Sequence, residues 1–246
     1  ISYKEENSFA DNMKKMARPE LLFCLSDECD KYRREDLRCL HCSAGEPKGD
    51  SMRFEDLLRL DKNFIGIFNK VGFTVEGEPY IYKSPDGGKD IVDVIEYLYG
   101  LGQNEFFIST GVFISEDERY LQVTKKLVML KVLHPEIKIN TRLTYHSFVK
   151  DQRKFDSSFV NAFMQQEFYA DSIDIKLIDG VASEIKYEDL TRRINGIVAL
   201  LLENSEVNVI SPKEFIVQNN DRRYKLFFTN DYSLYNSGMY TETLLK

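Results

Sequence analysis

Strand-like and helix-like segments alternate along most of this chain of 246 residues. Short apolar runs that are typical of buried strands occur at 21–25, 72–77, 105–110, 136–143, 172–178 and 206–210. Between them, apolar residues at helical spacing predict helices at 52–69, 91–98, 115–135, 156–169 and 190–201. Repeated β–α units imply a parallel sheet with right-handed crossovers. Six units are fewer than the eight of a closed barrel, so we expect an α/β fold with an open or partial barrel, most specifically a partial (β/α)6 barrel.

Capping residues sharpen two of these predictions. Gly102 predicts the C-terminal end of the helix at 91–98. Ser115 and Glu118 have the spacing of a capping box, which predicts the start of the next helix, and Pro135 predicts its end.

The alternation of strand-like and helix-like segments ends at Pro212. The runs "EFIVQ", "YKLFFT" and "MYTETLL" are separated by turn-forming residues and predict antiparallel strands. We therefore expect a lead segment at 1–19, the partial barrel at 20–211 and a C-terminal β-rich extension at 212–246. The extension most simply covers an edge of the sheet, although its arginines and tyrosines also suit a cap over the barrel or a docking surface.

Charge and hydropathy exclude several classes of protein. The formal net charge of −7 argues against a general nucleic-acid or membrane-surface binder. No apolar run approaches the roughly 20 residues of a membrane span, and the first residues lack the apolar core of a secretory signal. We expect a cytoplasmic protein with no membrane contact.

All four cysteines fall between positions 24 and 42, a clustering that favours a metal or cofactor over a disulfide framework. Cys24 lies within a predicted strand and is expected to be a small core residue. Cys29, Cys39 and Cys42 then remain as ligands. Three thiolates on an iron–sulfur cubane leave one iron open, as catalytic sites do and structural sites do not. A closed zinc site that uses all four cysteines is the alternative.

Two features together resemble the radical SAM superfamily. The string "LLFCLSDEC…CLHC" is similar to the family's apolar strand followed by C-x-x-x-C-x-Φ-C, with the first spacing enlarged from three residues to nine. Directly after the second predicted strand, Gly77, Glu78 and Pro79 match the family's G-G-E-P, with Glu76 in place of the first glycine. A second "GEP" at 45–47 does not follow a strand and is interpreted as a turn.

The resemblance implies a 4Fe–4S cluster on Cys29, Cys39 and Cys42. It also implies that S-adenosylmethionine binds the open iron and is cleaved reductively, so that a 5′-deoxyadenosyl radical abstracts a hydrogen from a substrate. That substrate is an unidentified small molecule, nucleotide or protein, and the electron would come from a partner such as flavodoxin or ferredoxin. Glu35 is the competing occupant of the first ligand position.

The resemblance also suggests cofactor contacts. His41 stands where the family places an aromatic side chain against adenine, and the backbone of Gly77–Pro79 would accept from the methionyl ammonium. Ser109 and Thr110 resemble part of the family's T-N-G at the end of the third strand. At the fourth strand, Arg142 is expected to pair with the methionyl carboxylate, and Thr144 or His146 to meet the ribose.

Two non-catalytic alternatives remain open. One is a zinc-stabilised binding module, and the other is a degenerate radical SAM fold without a cluster that binds a partner and turns nothing over.

Overall fold

The fold is described from a computed structural model. It describes residues 19–32, 34, 36–37, 46–73, 77–114, 116–146, 150–178, 206–211, 214–219 and 222–229. The predicted helix at 190–201 and the predicted strand "MYTETLL" lie outside these residues.

One eight-stranded sheet organises the chain, with strand order β1-β2-β3-β4-β5-β8-β7-β6. Its strands are β1 (Glu20–Phe23), β2 (Lys70–Phe73), β3 (Glu105–Thr110), β4 (Lys138–His146), β5 (Ser172–Ile178), β6 (Glu206–Ser211), β7 (Glu214–Asn219) and β8 (Arg222–Thr229). The first five strands pair in parallel and in chain order. The predicted α/β architecture with a parallel sheet is therefore confirmed, whereas a barrel-like closure stays a prediction.

Helices connect the parallel strands. They are the single-turn helices α1 (Phe54–Leu57) and α2 (Lys62–Ile65) and the longer helices α3 (Ile91–Gly100), α4 (Glu118–Leu133) and α5 (Gln152–Gln166). A short 3-10 turn, Pro79–Ile81, follows β2. The predicted single helix at 52–69 is wrong, because Asp61 adopts an extended backbone and caps a new turn by accepting from the Phe64 amide.

The ends of the longer helices test the sequence signals. Helix α3 ends at Gly100, and Gly102 follows with a φ of 100°, a conformation that glycine adopts without strain. Helix α4 ends two residues before Pro135, as predicted. Its predicted capping box is wrong, because Asp117 is the N-cap and accepts from the Arg119 amide. Helix α5 starts earlier than predicted, because the Asp151 side chain caps it by accepting a hydrogen bond from the Lys154 amide.

The prediction that 206–210 forms the sixth parallel neighbour is also wrong. Strand β8 pairs in parallel with β5, and β6 lies at the far edge, antiparallel to β7. Only two residues separate β6 from β7 and β7 from β8, and connections that short join antiparallel strands alone. Strands on both sides of the expected boundary at 211/212 thus belong to one sheet.

The core lies on one face of the parallel strands. Alternate residues on this face are at most 4% exposed and pack against the helices; they include Val71, Phe73, Phe106, Ile108, Leu143 and Ile175. On the other face, Leu22 is 49% exposed, and Ser109, Arg142, Thr144 and Asp174 are only partly buried. Strands connected in chain order by right-handed crossovers place their helices on one side, which accounts for this one-sided packing.

Candidate functional site

The loop after β1 and the Gly77–Pro79 motif after β2 are in direct contact. The amide of Glu78 donates to the carbonyl of Glu28 at 2.8 Å. Gly77 has a φ of 67°, and a Cβ built on it would lie 2.1 Å from the carbonyl oxygen of Ser26. This position therefore requires glycine both for its backbone conformation and for the close approach. The structure thereby brings Cys29 and the predicted second motif to the same edge of the sheet.

The side chain of Glu78 is buried in a polar network. Its Oε1 accepts from the Thr110 hydroxyl at 2.6 Å, and its Oε2 accepts from Lys31 Nζ at 2.8 Å and from the Gly111 amide at 3.2 Å. Glu78 is 3% exposed and Thr110 is 4% exposed. Both residues were predicted to contact a cofactor, and in this structure their side chains bind each other on the helix-covered face. Pro79 is buried at the start of the 3-10 turn.

Lys31 supplies the positive charge of this network. Besides Glu78, its ammonium donates to the Tyr120 hydroxyl at 2.7 Å and to Asp30 at 3.2 Å, while the Tyr120 hydroxyl donates to the second oxygen of Asp30 at 2.8 Å. Burial alone would lower the pKa of Lys31, but the nearby Glu78, Tyr120 and Asp30 outweigh it and hold this pKa well above its usual value. The ammonium therefore stays charged although the residue is only 2% exposed.

Cys29 is half-buried beside this network. Burial raises the pKa of its thiol; Lys31 opposes this shift, and the negative charges of Glu78 and Asp30 add to it. Thiolates are the metal-binding form of cysteine, so binding of a cation at Cys29 would require loss of the thiol proton.

The prediction that Cys24 is a core residue is wrong. Cys24 is only half-buried, does not belong to the core cluster, and donates from its thiol to the carbonyl of Ser26 at 3.7 Å. Strand β1 ends at Phe23, so strand alternation no longer determines which way Cys24 faces.

The remaining cysteine-loop residues, Cys39, Cys42, His41 and Glu35, lie outside the described residues. The choice between Cys29 and Glu35 as first ligand therefore stays a prediction. Within the described part of the chain, no three His, Cys, Asp or Glu side chains form a group that could hold a metal ion. Of the three predicted ligands only Cys29 is described, and its thiol at this edge of the sheet is compatible with the predicted cluster.

Three of the predicted cofactor contacts share the face of the sheet opposite the core. Ser109 and Arg142 are register partners, and Thr144 follows on the same face of β4. Arg142 lies next to Asp174 of β5 in register, with 3.6 Å between its Nη2 and the carboxylate, and its guanidinium carbon is 4.8 Å from the centre of the Phe107 ring. Arg142 thus already faces a carboxylate. His146 is the last residue of β4.

Several residues that shape this region are not marked by any sequence pattern. Lys31 lies in a polar insertion, where a lysine is normally exposed to solvent. Tyr120 is one of many aromatic residues of the chain, and its spacing indicates only a helix. The pairing of Arg142 with Asp174 depends on the β4–β5 register. Gly111 is the exception, because a glycine directly after a strand indicates that another group approaches the backbone closely. A Cβ added to Gly111 would lie 3.1 Å from Cε of Lys31, so the glycine leaves room for the Lys31 side chain.

Comparison with protein-family models, with characterised proteins and with solved structures finds no match for this chain. Among the helices that the structure describes, none is long and apolar enough to cross a membrane.

Proposed function

We propose that this chain is a radical SAM enzyme in which Cys29, Cys39 and Cys42 hold a 4Fe–4S cluster. The observation that carries the proposal is the contact between the loop that leads to Cys29 and the Gly77–Glu78 motif, made through the Glu28–Glu78 hydrogen bond and the Gly77–Ser26 approach. The two motifs are distant in sequence, and the resemblance requires them to share one edge of the sheet. The parallel strands in chain order supply that edge.

When bound, the cluster supplies the electron that cleaves S-adenosylmethionine, and the protein binds and orients the two. Arg142 would hold the methionyl carboxylate, for which a guanidinium is well suited, with Ser109 and Thr144 on the same face. Asp174 would then give up part of its contact with Arg142. Glu78 acts here through its backbone position, because its carboxylate is used by Lys31, Thr110 and Gly111. The substrate from which a hydrogen is taken is a small molecule, nucleotide or protein.

Anaerobic reconstitution with iron and sulfide tests the proposal. We expect a brown protein with about four irons per chain that forms 5′-deoxyadenosine from S-adenosylmethionine under reduction. Cys29→Ala should abolish both the colour and the cleavage, whereas the matched variant Cys24→Ala should retain both.

Other outcomes identify the alternatives. If the protein is colourless and binds stoichiometric zinc through all four cysteines, it is the zinc-stabilised binding module. If the protein binds neither metal nor S-adenosylmethionine, it is the cluster-less binding protein. Cleavage that survives in Cys29→Ala assigns the first ligand position to another residue, with Glu35 as the next candidate.

A further inference from the structure

Cys29 is held from both sides by the same residue. On its N-terminal side, the carbonyl of Glu28 accepts from the Glu78 amide at 2.8 Å. On its C-terminal side, Lys31 Nζ donates to the Glu78 carboxylate at 2.8 Å. Glu78 therefore fixes the chain immediately before and shortly after the predicted ligand, and only Asp30 lies between the ligand and the buried ammonium.

The end of the inserted loop is fixed as well. Leu37 is fully buried in the core, and the carbonyl of Asp36 accepts from the Asp151 amide at the start of α5 at 3.3 Å. The Asp36 carboxylate also forms ion pairs with Arg34 at 3.0 Å and Lys154 at 3.2 Å. The segment that lies between the first two predicted ligands is thus fixed near its start by Lys31 and farther along by Asp36 and Leu37.

A buried lysine is an expensive way to fix a loop. Removing an ammonium from water is strongly unfavourable, so such a group is retained only where its geometry and its partners are good. Here the side chain of Lys31 runs over Gly111, where no Cβ obstructs it, and its ammonium contacts Glu78, Tyr120 and Asp30. An apolar residue at position 31 would fill space but would not direct the loop toward Glu78.

We propose that Lys31 is a positioning residue for metal binding: its buried contact with Glu78 holds Cys29 in place as a preformed ligand in spite of the enlarged loop. The inference rests on the proposed function only in taking Cys29 as a ligand. Lys31 does not touch the metal. It lowers the cost of ordering the loop before the metal arrives, as groups behind a metal site commonly do.

Cobalt(II) titration of the reduced, metal-free protein tests this proposal without requiring a cluster, because thiolate ligation gives the cobalt spectrum a charge-transfer band. We expect Lys31→Met to weaken cobalt binding about 10–100-fold, the range for loss of a group behind a metal site. Lys126→Met is the matched control. Lys126 also pairs with a buried carboxylate, at 2.6 Å from Asp90, but on α4 and away from the cysteine loop, so its loss should leave cobalt affinity unchanged.

Two further variants separate positioning from stability. In Lys31→Met/Glu78→Gln the buried Glu78 carboxylate is replaced by a neutral amide and no longer lacks its cation, so urea resistance should recover relative to Lys31→Met while cobalt affinity stays low. Gly111→Ala keeps every charge but presses a Cβ against the Lys31 stem, which should weaken cobalt binding in a protein that still folds. If cobalt affinity follows urea resistance across all of these variants, Lys31 is merely structural and the proposal is overturned.

Failure of this inference can be told from failure of the proposed function. If either Lys31→Met or Cys29→Ser binds cobalt as tightly as the unmodified chain, the inference is wrong, whether or not the reconstituted protein cleaves S-adenosylmethionine. If both variants weaken cobalt binding and the reconstituted protein still does not cleave S-adenosylmethionine, the proposed function falls and the inference stands.

Discussion

The backbone amide of Glu78 and the carbonyl of Glu28 form a 2.8 Å hydrogen bond that joins the loop after β1 to the loop after β2. The Glu78 side chain strengthens the same junction through Lys31, so one residue connects the predicted cluster loop to the predicted cofactor motif. The arrangement of the site depends on this junction, and each of its contacts can be tested separately.

Gly77 should be the least replaceable glycine of the junction. Gly77→Ala combines a positive φ with a Cβ 2.1 Å from the Ser26 carbonyl, so we expect a loss of more than about 2 kcal/mol in the free energy of unfolding. Gly88→Ala is the matched control: its φ is 65°, but nothing lies within 4 Å of the added Cβ, so it should lose about 1 kcal/mol. Urea unfolding measures both, and equal losses would contradict the close packing at Gly77.

The hydroxyl of Thr110 should matter through Glu78 and not through a cofactor. Thr110→Val removes a 2.6 Å hydrogen bond to a buried carboxylate, which should cost about 1.5–3 kcal/mol of unfolding free energy. Thr124→Val is the comparison, because Thr124 donates to the neutral amide oxygen of Gln165 at 3.0 Å and should cost about 1 kcal/mol. A Thr110→Val protein of unchanged stability but weaker S-adenosylmethionine binding would reverse the assignment.

Stability should fall at alkaline pH because of Cys29. Folding raises the pKa of this thiol above its usual value of 9.0, mainly by burial, so protonation favours the folded state. This stabilisation is complete below about pH 9 and is lost as the pH rises through the higher folded-state pKa. Urea unfolding under reducing conditions at about pH 8 and about pH 10 should show a smaller alkaline loss in Cys29→Ser than in the unmodified chain. Identical losses in the two proteins would argue against a raised thiol pKa.

Arg142 should contribute to S-adenosylmethionine binding if the cofactor occupies the face of the sheet opposite the core. Arg142→Gln should weaken calorimetric binding to the cluster-loaded protein about tenfold, which corresponds to about 1.4 kcal/mol. Asn140→Ala serves as the control on the same face, farther from the ends of β1 and β2, and should bind normally. Equal affinities of Arg142→Gln and the unmodified chain would remove Arg142 from the site.

Local sequence signals predicted the repeating architecture well. The β–α alternation, Gly102 and Pro135 each act over a few residues, and the parallel strands and helix ends follow from them. The errors arose where a non-local interaction or a competing cap decided the outcome. Asp61 interrupts an apolar pattern that has helical spacing throughout, and β8, not β6, pairs with β5 over a long sequence separation that no local pattern encodes.

The candidate site was predictable only in part, for the same physical reason. The meeting of the Cys29 loop with Gly77–Glu78 follows from parallel strands that end at one edge of the sheet. The partners of Lys31 and Arg142 do not, because Tyr120 and Asp174 reach them through helix packing and strand register that no local pattern encodes.

The most direct measurement of the central claim is 5′-deoxyadenosine formation by the anaerobically reconstituted, reduced protein, compared with its Cys29→Ala and Cys24→Ala variants. The account predicts product with the unmodified chain and with Cys24→Ala, and none with Cys29→Ala. Product from Cys29→Ala, or its absence from an unmodified chain that carries a full complement of iron and sulfide, would contradict it.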